Sequence, residues 1–443
     1  MAEMPILFLM ESSLKTDMID ELSIADILAD DSEVTSGEAR VNRISRAVLL
    51  AVIVAIVLAA FAGAGLDGLA DGGTAGPDAE SSARLGGDFA AFYAAGSIVW
   101  EGDIDSLYDP VRQEQAQSEL GIDGYLGFAY PPHVAAAYAP LGALGFQTAY
   151  LVHTLLMIAA FVIAMVMLSD VVPLLHKWRW PLLAASLTFY PLATAIGGGQ
   201  NAALSVLCVA AIWRGLHDGR EDHAGIAAGL LLFRPQYALP IIGLMLLSRH
   251  GGAVIWAFAT ATVTWAGTAL VLGVNWLSTW WAEVVPFVEQ DAEVNAANSI
   301  SILGFLQAAS STGGRPVVIA GAAGAAVVVL VLVFLWSNPD RFSLANRMGA
   351  VAIGMTLVSP HTMFYDASLI LIAGAAVLAS RTIDQPPIAL FGLIWAASLV
   401  HLASGGLGAT PLAPVILLLF GAMVWHTLRV SPGKIDLAVE GFC

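Results

Sequence analysis

From Pro316 to Pro339 the chain carries no charged residue, and its apolar run at about 314–336 is long enough to cross a bilayer. Crossing about 30 Å of hydrocarbon takes roughly 20 apolar residues. Within lipid every backbone N–H and C=O must be satisfied inside the protein, which for one segment means a helix. Comparable runs lie at about 47–66, 147–168, 181–196, 201–214, 253–273, 346–359, 366–380, 386–403 and 411–428, several of them short of a full span. The composition agrees: 58% of the 443 residues are hydrophobic and 12% charged, half the roughly 25% charge of a soluble domain. The expected fold class is an all-α integral membrane protein, a bundle of about 10–12 transmembrane helices with short external amphipathic helices.

Charge asymmetry orients the runs. Arg40, Arg43 and Arg46 precede the run at 47–66, so the amino terminus is expected in the cytoplasm. The following stretch to about Phe128 holds 12 carboxylates against Arg84 and Arg112, as an external loop would. Threading the remaining runs alternately places 14 of the 18 basic residues inside. The expected location is the inner (plasma) membrane of a bacterium, crossed many times.

Parity makes one segment informative. Arg220 and Arg249 both belong inside, yet the apolar stretch 225–247 separates them. Phe233-Arg234-Pro235-Gln236 interrupts it at the midpoint, where proline breaks the helical ladder. Two short helices meeting at a turn, a hairpin or a re-entrant pair, restore the pattern. Irregular backbone at such depth is tolerated where protein or a water-filled cavity surrounds it.

Three domains are expected. Residues 1–45 form an acidic, disordered cytoplasmic tail, unless translation starts near Met18. Residues 46–430 form the membrane domain, with external loops at 67–146 and 275–313, and 431–443 a second cytoplasmic tail. Trp276, Trp280 and Trp281 in the second loop read as interfacial anchors. The net charge of −17 excludes a basic nucleic-acid footprint. Cys208 and Cys443 have no metal-ligand spacing, and no phosphate-binding glycine loop, HExxH or nucleophile elbow is present.

Unusual polar residues gather on the expected outer face. Asp88 opens a stretch carrying Phe89, Phe92 and Tyr93 along one helical face, where an acid serves either as an N-cap or as a catalytic base. The aromatics are placed to bed a lipid tail or stack on a sugar. Gly197-Gly198-Gly199-Gln200-Asn201 offers close backbone approach and amide donors and acceptors, or simply a tight turn. Ser359-Pro360-His361 with Tyr365-Asp366 forms another external turn, in which His361 and Asp366 orient a substrate or stand solvated. Arg234 is a charge at mid-membrane, costly unless it faces a cavity or a partner, and its guanidinium suits a phosphate.

Taken in order, these residues resemble the polyprenol-phosphate-mannose-dependent enzymes of glycosyltransferase family 87, in the GT-C superfamily. The likeness rests on Gly87-Asp88-Phe89, Tyr93-Ala94-Ala95-Gly96, Leu107-Tyr108-Asp109, Tyr130-Pro131-Pro132, Gly199-Gln200-Asn201, Arg234-Pro235-Gln236 and Ser359-Pro360, over about 46–430. It implies an extracytoplasmic active site and transfer of a hexose, mannose by analogy, from a polyprenyl-phosphate donor to a lipid or glycan acceptor. Inversion is implied, with Asp88 as general base and neither cofactor nor metal. Arg234, Gln236, His361, Gln200, Asn201, Tyr93, Tyr130 and Asp366 are the implied substrate-binding residues. The family usually carries Lys where this chain has Arg234. A transporter or lipid flippase also fits a broken helix with an intramembrane cation, and a membrane scaffold or sensor fits an elaborate external loop.

Overall fold

The computed structural model describes residues 87–120, 126–310, 314–379, 385–403 and 410–429. The tails at 1–45 and 431–443 and the first apolar run lie outside the described residues, as do the boundaries expected for them. The described residues all fall in one unit, Val57–Cys443.

Among them every regular element is a helix, apart from one isolated bridge, Ser299 to Met363. In the first loop stand α1 (Phe89–Trp100), α2 (Pro110–Ser118) and α3 (Pro132–Gly142). There follow α4 (Phe146–Val171), α5 (Pro173–Leu187), α6 (Tyr190–Gly198), α7 (Ala202–His217), α8 (Glu221–Leu230) and α9 (Pro235–Leu247). Next come α10 (Gly251–Leu272), α11 (Trp276–Val294), α12 (Ile302–Ala309) and α13 (Arg315–Trp336). The chain closes with α14 (Leu344–Val358), α15 (Ile370–Ala379), α16 (Gln385–Ala403) and α17 (Leu412–Arg429).

Four helices, α4, α10, α13 and α17, are each long and apolar enough to span a bilayer. The pair α5–α6, bent by 64°, makes a fifth if taken as one span. Among the described residues, then, four or five spans meet the length of a full crossing. Six described helices are apolar but only 10–17 residues long, because prolines, glycines and polar turns cut the runs. The long helices keep large apolar side chains turned outward, Leu270 being 89% exposed, which only lipid tolerates over such a length.

Contacts sort the helices by two ends. At one end the Tyr150 hydroxyl donates to Gly197 O at 2.5 Å, and Arg234 reaches Asn201. At the other, Arg214 meets Asp170 at 2.5 Å, His250 meets Glu221 at 3.1 Å, and Ser248 donates to Trp336 O at 2.6 Å. Helix α7, at 1.5 Å per residue, holds its ends about 24 Å apart. Arg214, Arg220, Arg249 and Arg347 share the second end, the group that charge parity placed together.

The segment 221–250 is a hairpin. The hydrogen bond between Glu221 and His250 closes its base, and α8 then runs parallel to the start of α10. Glycines permit that approach: a Cβ on Gly225 would lie 2.2 Å from Ala253 O, and one on Gly229 2.8 Å from Ala257 O. A 3-10 turn, Leu231–Phe233, ends the rising arm, and α9 returns after Pro235. Arg234 is thus the tip of a hairpin, level with the Asn201 turn, rather than the middle of a span.

Two of the three loop tryptophans are packing residues. Trp280 Nε1 donates to Ala129 O at 3.0 Å and Trp276 Nε1 to Trp265 O at 3.3 Å, each side chain 8% exposed. Only Trp281, 62% exposed, suits an interfacial anchor. The aromatic face expected along α1 is likewise consumed internally. Phe89 and Phe92 are buried among Phe128, Tyr130, Tyr138 and Phe146, so they are not a bed for a lipid tail.

Candidate active site

The site is built on the turn that ends α6. Gly199 has φ +81°, a left-handed conformation that favours glycine, and a Cβ there would lie 2.3 Å from the Cβ of Phe89. A side chain at 199 would push away the start of α1, so the missing Cβ seats Gly87-Asp88-Phe89 on the Gly199-Gln200-Asn201 turn. Behind this junction the Tyr138 hydroxyl meets His153 Nδ1 at 3.2 Å, and the Phe89 ring lies 5.0 Å from the His153 ring.

Arg234 reaches the same turn from the hairpin tip. Its side chain is 2% exposed and ion-paired with Asp366, which is 4% exposed. Its Nε and Nη2 donate to Asn201 Oδ1 at 3.2 and 2.9 Å, and Nη2 also donates to the Tyr130 hydroxyl at 3.1 Å. The Tyr130 hydroxyl in turn lies 3.3 Å from Asn201 Oδ1 and 3.4 Å from Gln200 Oε1, and gives its proton to one of them. Burial pushes the Tyr130 phenol up while Arg234 pulls it down, and the group remains a protonated donor. The second Asp366 oxygen accepts from Met363 N–H at 3.2 Å. The charge of Arg234 is therefore balanced inside the protein, as a cation removed from water requires.

Asp88 occupies the N-cap position of α1, yet its side chain makes no capping hydrogen bond. Its Oδ2 lies 3.8 Å from the Cβ that Gly198 lacks, so the carboxylate faces the end of α6. It is near enough to act electrostatically on Tyr130 and Tyr365. The bland explanation for an acid at this position, helix capping, is thus not the one the geometry supports.

Of the residues singled out in the sequence, Asp88, Tyr130, Gln200, Asn201, Arg234 and Asp366 come together. Tyr93 faces elsewhere, donating to Leu144 O at 2.6 Å with its ring edge-on to Phe146. Gln236 is half-buried one step along α9 and joins none of these hydrogen bonds. His361 stands edge-on to Phe287, while Asp366 turns to Arg234. Tyr237 was missed: its buried ring lies 5.8 Å from the guanidinium. The signal was present, because residues three apart share a helix face. Among the described residues no three His, Cys, Asp or Glu side chains converge as metal ligands.

A family model matches residues 128–360, a little over half of the chain; its description is glycosyltransferase family 87. The matched span contains Tyr130, Gln200, Asn201 and Arg234 and leaves out Asp88, His361 and Asp366. No curated protein and no solved structure matches the chain.

Proposed function

Because the chain belongs to glycosyltransferase family 87, and so is a membrane glycosyltransferase, we propose that it moves a hexose from a polyprenyl-phosphate donor to a lipid or glycan acceptor. Mannose is the first sugar to test. The transporter and scaffold readings give way to the family. The reaction belongs at the end carrying Asp88 and Arg234, which charge parity assigns to the extracytoplasmic side of an inner membrane with a cytoplasmic amino terminus.

One observation carries the mechanism. Asp88 makes no helix cap and faces the turn whose next residues, Gln200 and Asn201, engage the Arg234 cluster. The acceptor hydroxyl oxygen attacks the anomeric carbon while the bond to the phosphate oxygen breaks on the opposite face, inverting the centre. The hydroxyl proton passes to Asp88, and the departing electron pair stays on the lipid phosphate. One carboxylate suffices, since no glycosyl-enzyme intermediate forms. The reading calls for no cofactor, because the donor arrives with its leaving group attached.

Arg234 meets the leaving phosphate along its Nη1 edge. Asn201, Tyr130 and Asp366 engage four of its five N–H groups, so a phosphate that takes both Nη1 donors takes the place of the Asp366 carboxylate. Until then the cluster holds Tyr130 and Asn201 in place beside Asp88.

The test is transfer from radiolabelled polyprenyl-phosphate-mannose to a mixed lipid and glycan extract by protein in membranes. The expected result is labelled product from wild type and a fall of about 10²–10⁴-fold in Asp88→Asn, with donor binding kept. Equal product from both would remove Asp88 from the chemistry.

A further inference from the structure

Beside the charged cluster, a cavity of about 310 Å³ opens between the first-loop helices and the α10–α11 corner. Tyr108, Pro132, Trp276 and Thr279 line it, together with the carboxylates of Asp105, Asp109 and Glu283 and no lysine or arginine. We propose that it binds one uncharged sugar ring, the glycan part of the acceptor.

The charge of the walls excludes the donor's lipid phosphate. Three acids without a basic residue repel an anion, and Asp105, Asp109 and Glu283 are all solvent-exposed. A sugar suits what remains. Its hydroxyls donate to carboxylate oxygens, which accept without supplying protons. Its C–H face lies on aromatic rings, and Tyr108 and Trp276 are both in the lining. Asp109 already accepts from Val111 N–H at 3.0 Å, so Asp105 and Glu283 carry most of the available acceptor capacity. The volume stands at the lower end of the range for small-ligand pockets, roughly 300–1,000 Å³, which fits a single ring rather than an oligosaccharide.

Position ties the cavity to the reaction. The Tyr108 hydroxyl donates to Tyr130 O at 2.8 Å, while the Tyr130 side chain engages Arg234. Cavity and cluster are therefore the two sides of one short segment, with Trp280 holding its preceding carbonyl, Ala129 O. The identity of the ring as the acceptor's rests on the transferase reading; the binding of a sugar does not.

Saturation-transfer NMR on the full chain in nanodiscs separates the two. The probes are methyl α-D-mannopyranoside, methyl α-D-glucopyranoside and myo-inositol, with choline and inorganic phosphate as charged controls. At least one neutral probe gives signal with wild type and with Asp88→Asn. Its affinity falls about tenfold in Glu283→Gln and in Trp276→Phe, on the order of one charge-assisted hydrogen bond or one ring contact. Circular dichroism confirms that each variant is folded, and exposed Glu283 guards against a merely unfolded Trp276 variant. Choline binding in place of the sugars, no sugar signal, or sugar affinity unchanged in both variants overturns the proposal. Sugar binding without detectable transfer would count against the transferase reading and leave the cavity's ligand class standing.

Discussion

Arg234 and Asp366, 132 positions apart in the chain, form a buried ion pair that ties the hairpin tip to the turn after α14. Both are nearly shut off from bulk solvent, at 2% and 4% exposure, so each depends on the other. Arg234→Ala or Asp366→Ala should each cost about 3–5 kcal/mol of stability, because each leaves an uncompensated buried charge. The double variant should cost less than the sum, read as a coupling term in thermal unfolding in detergent. Arg234→Lys keeps the charge but not the fork, so Tyr130 and Asn201 lose their shared donor. Asp366→Asn, nearly isosteric, frees the guanidinium and should tighten binding of the polyprenyl-phosphate donor; unchanged or weaker donor binding in a folded Asp366→Asn would refute the exchange at Arg234.

Two glycines with positive φ offer a matched pair. Gly219 has φ +69° and nothing within 4 Å of an added Cβ, whereas Gly199 has φ +81° with Phe89 in the way. Gly219→Ala should cost about 1–2 kcal/mol, the backbone strain alone. Gly199→Ala adds overpacking of about 1–3 kcal/mol and shifts Asp88, so transfer activity should fall in that variant only. Equal stability losses with full activity in both would mean that the Gly199–Phe89 contact does not set the site.

Stability should depend on pH through His133. Burial pushes its imidazole down to about 4, against an ordinary value near 6.5, and its buried Nδ1 has no hydrogen-bond partner. Between those values the unfolded chain binds a proton that the folded chain does not. Its contribution is therefore complete above about pH 6.5 and is lost as pH falls toward 4, at most about 3 kcal/mol. The drop in Tm from pH 7.5 to 4.5 should shrink in His133→Gln; an identical drop would assign the acid sensitivity to other groups.

The hairpin makes a topological prediction. In a Cys208→Ser, Cys443→Ser background, single cysteines at Asp222 and Arg249 should react with an impermeant thiol reagent from the same side of the membrane, and one at Trp281 from the opposite side. Labelling of the Asp222 and Arg249 positions from opposite sides would make 221–250 a single kinked span.

The membrane class was legible in the sequence, because apolar runs of span length leave a chain no soluble way to bury them. The break was legible too, since Arg220 and Arg249 had to share a side and Pro235 marked the interruption, but the choice between a hairpin and a kinked span came from the Glu221–His250 contact. Asp88, Gln200, Asn201, Arg234 and Asp366 could be singled out one at a time, since charges and amides beside apolar runs are rare enough to notice.

Their partnership was not legible. Arg234 and Asp366 are joined through space, and no local pattern records which acid meets which base across 132 residues. The same limit hid the fate of Phe89, Phe92, Trp276 and Trp280. An aromatic residue next to the membrane reads alike whether it will touch lipid, sugar or another ring. Local composition determined that this chain is a helical membrane protein with an unusual polar end. Only packing decided that Gly199 admits Phe89, that the Asp88 side chain turns to the end of α6 instead of capping its own helix, and that Tyr237 lies under the guanidinium, because these outcomes depend on which surfaces become neighbours once the helices assemble.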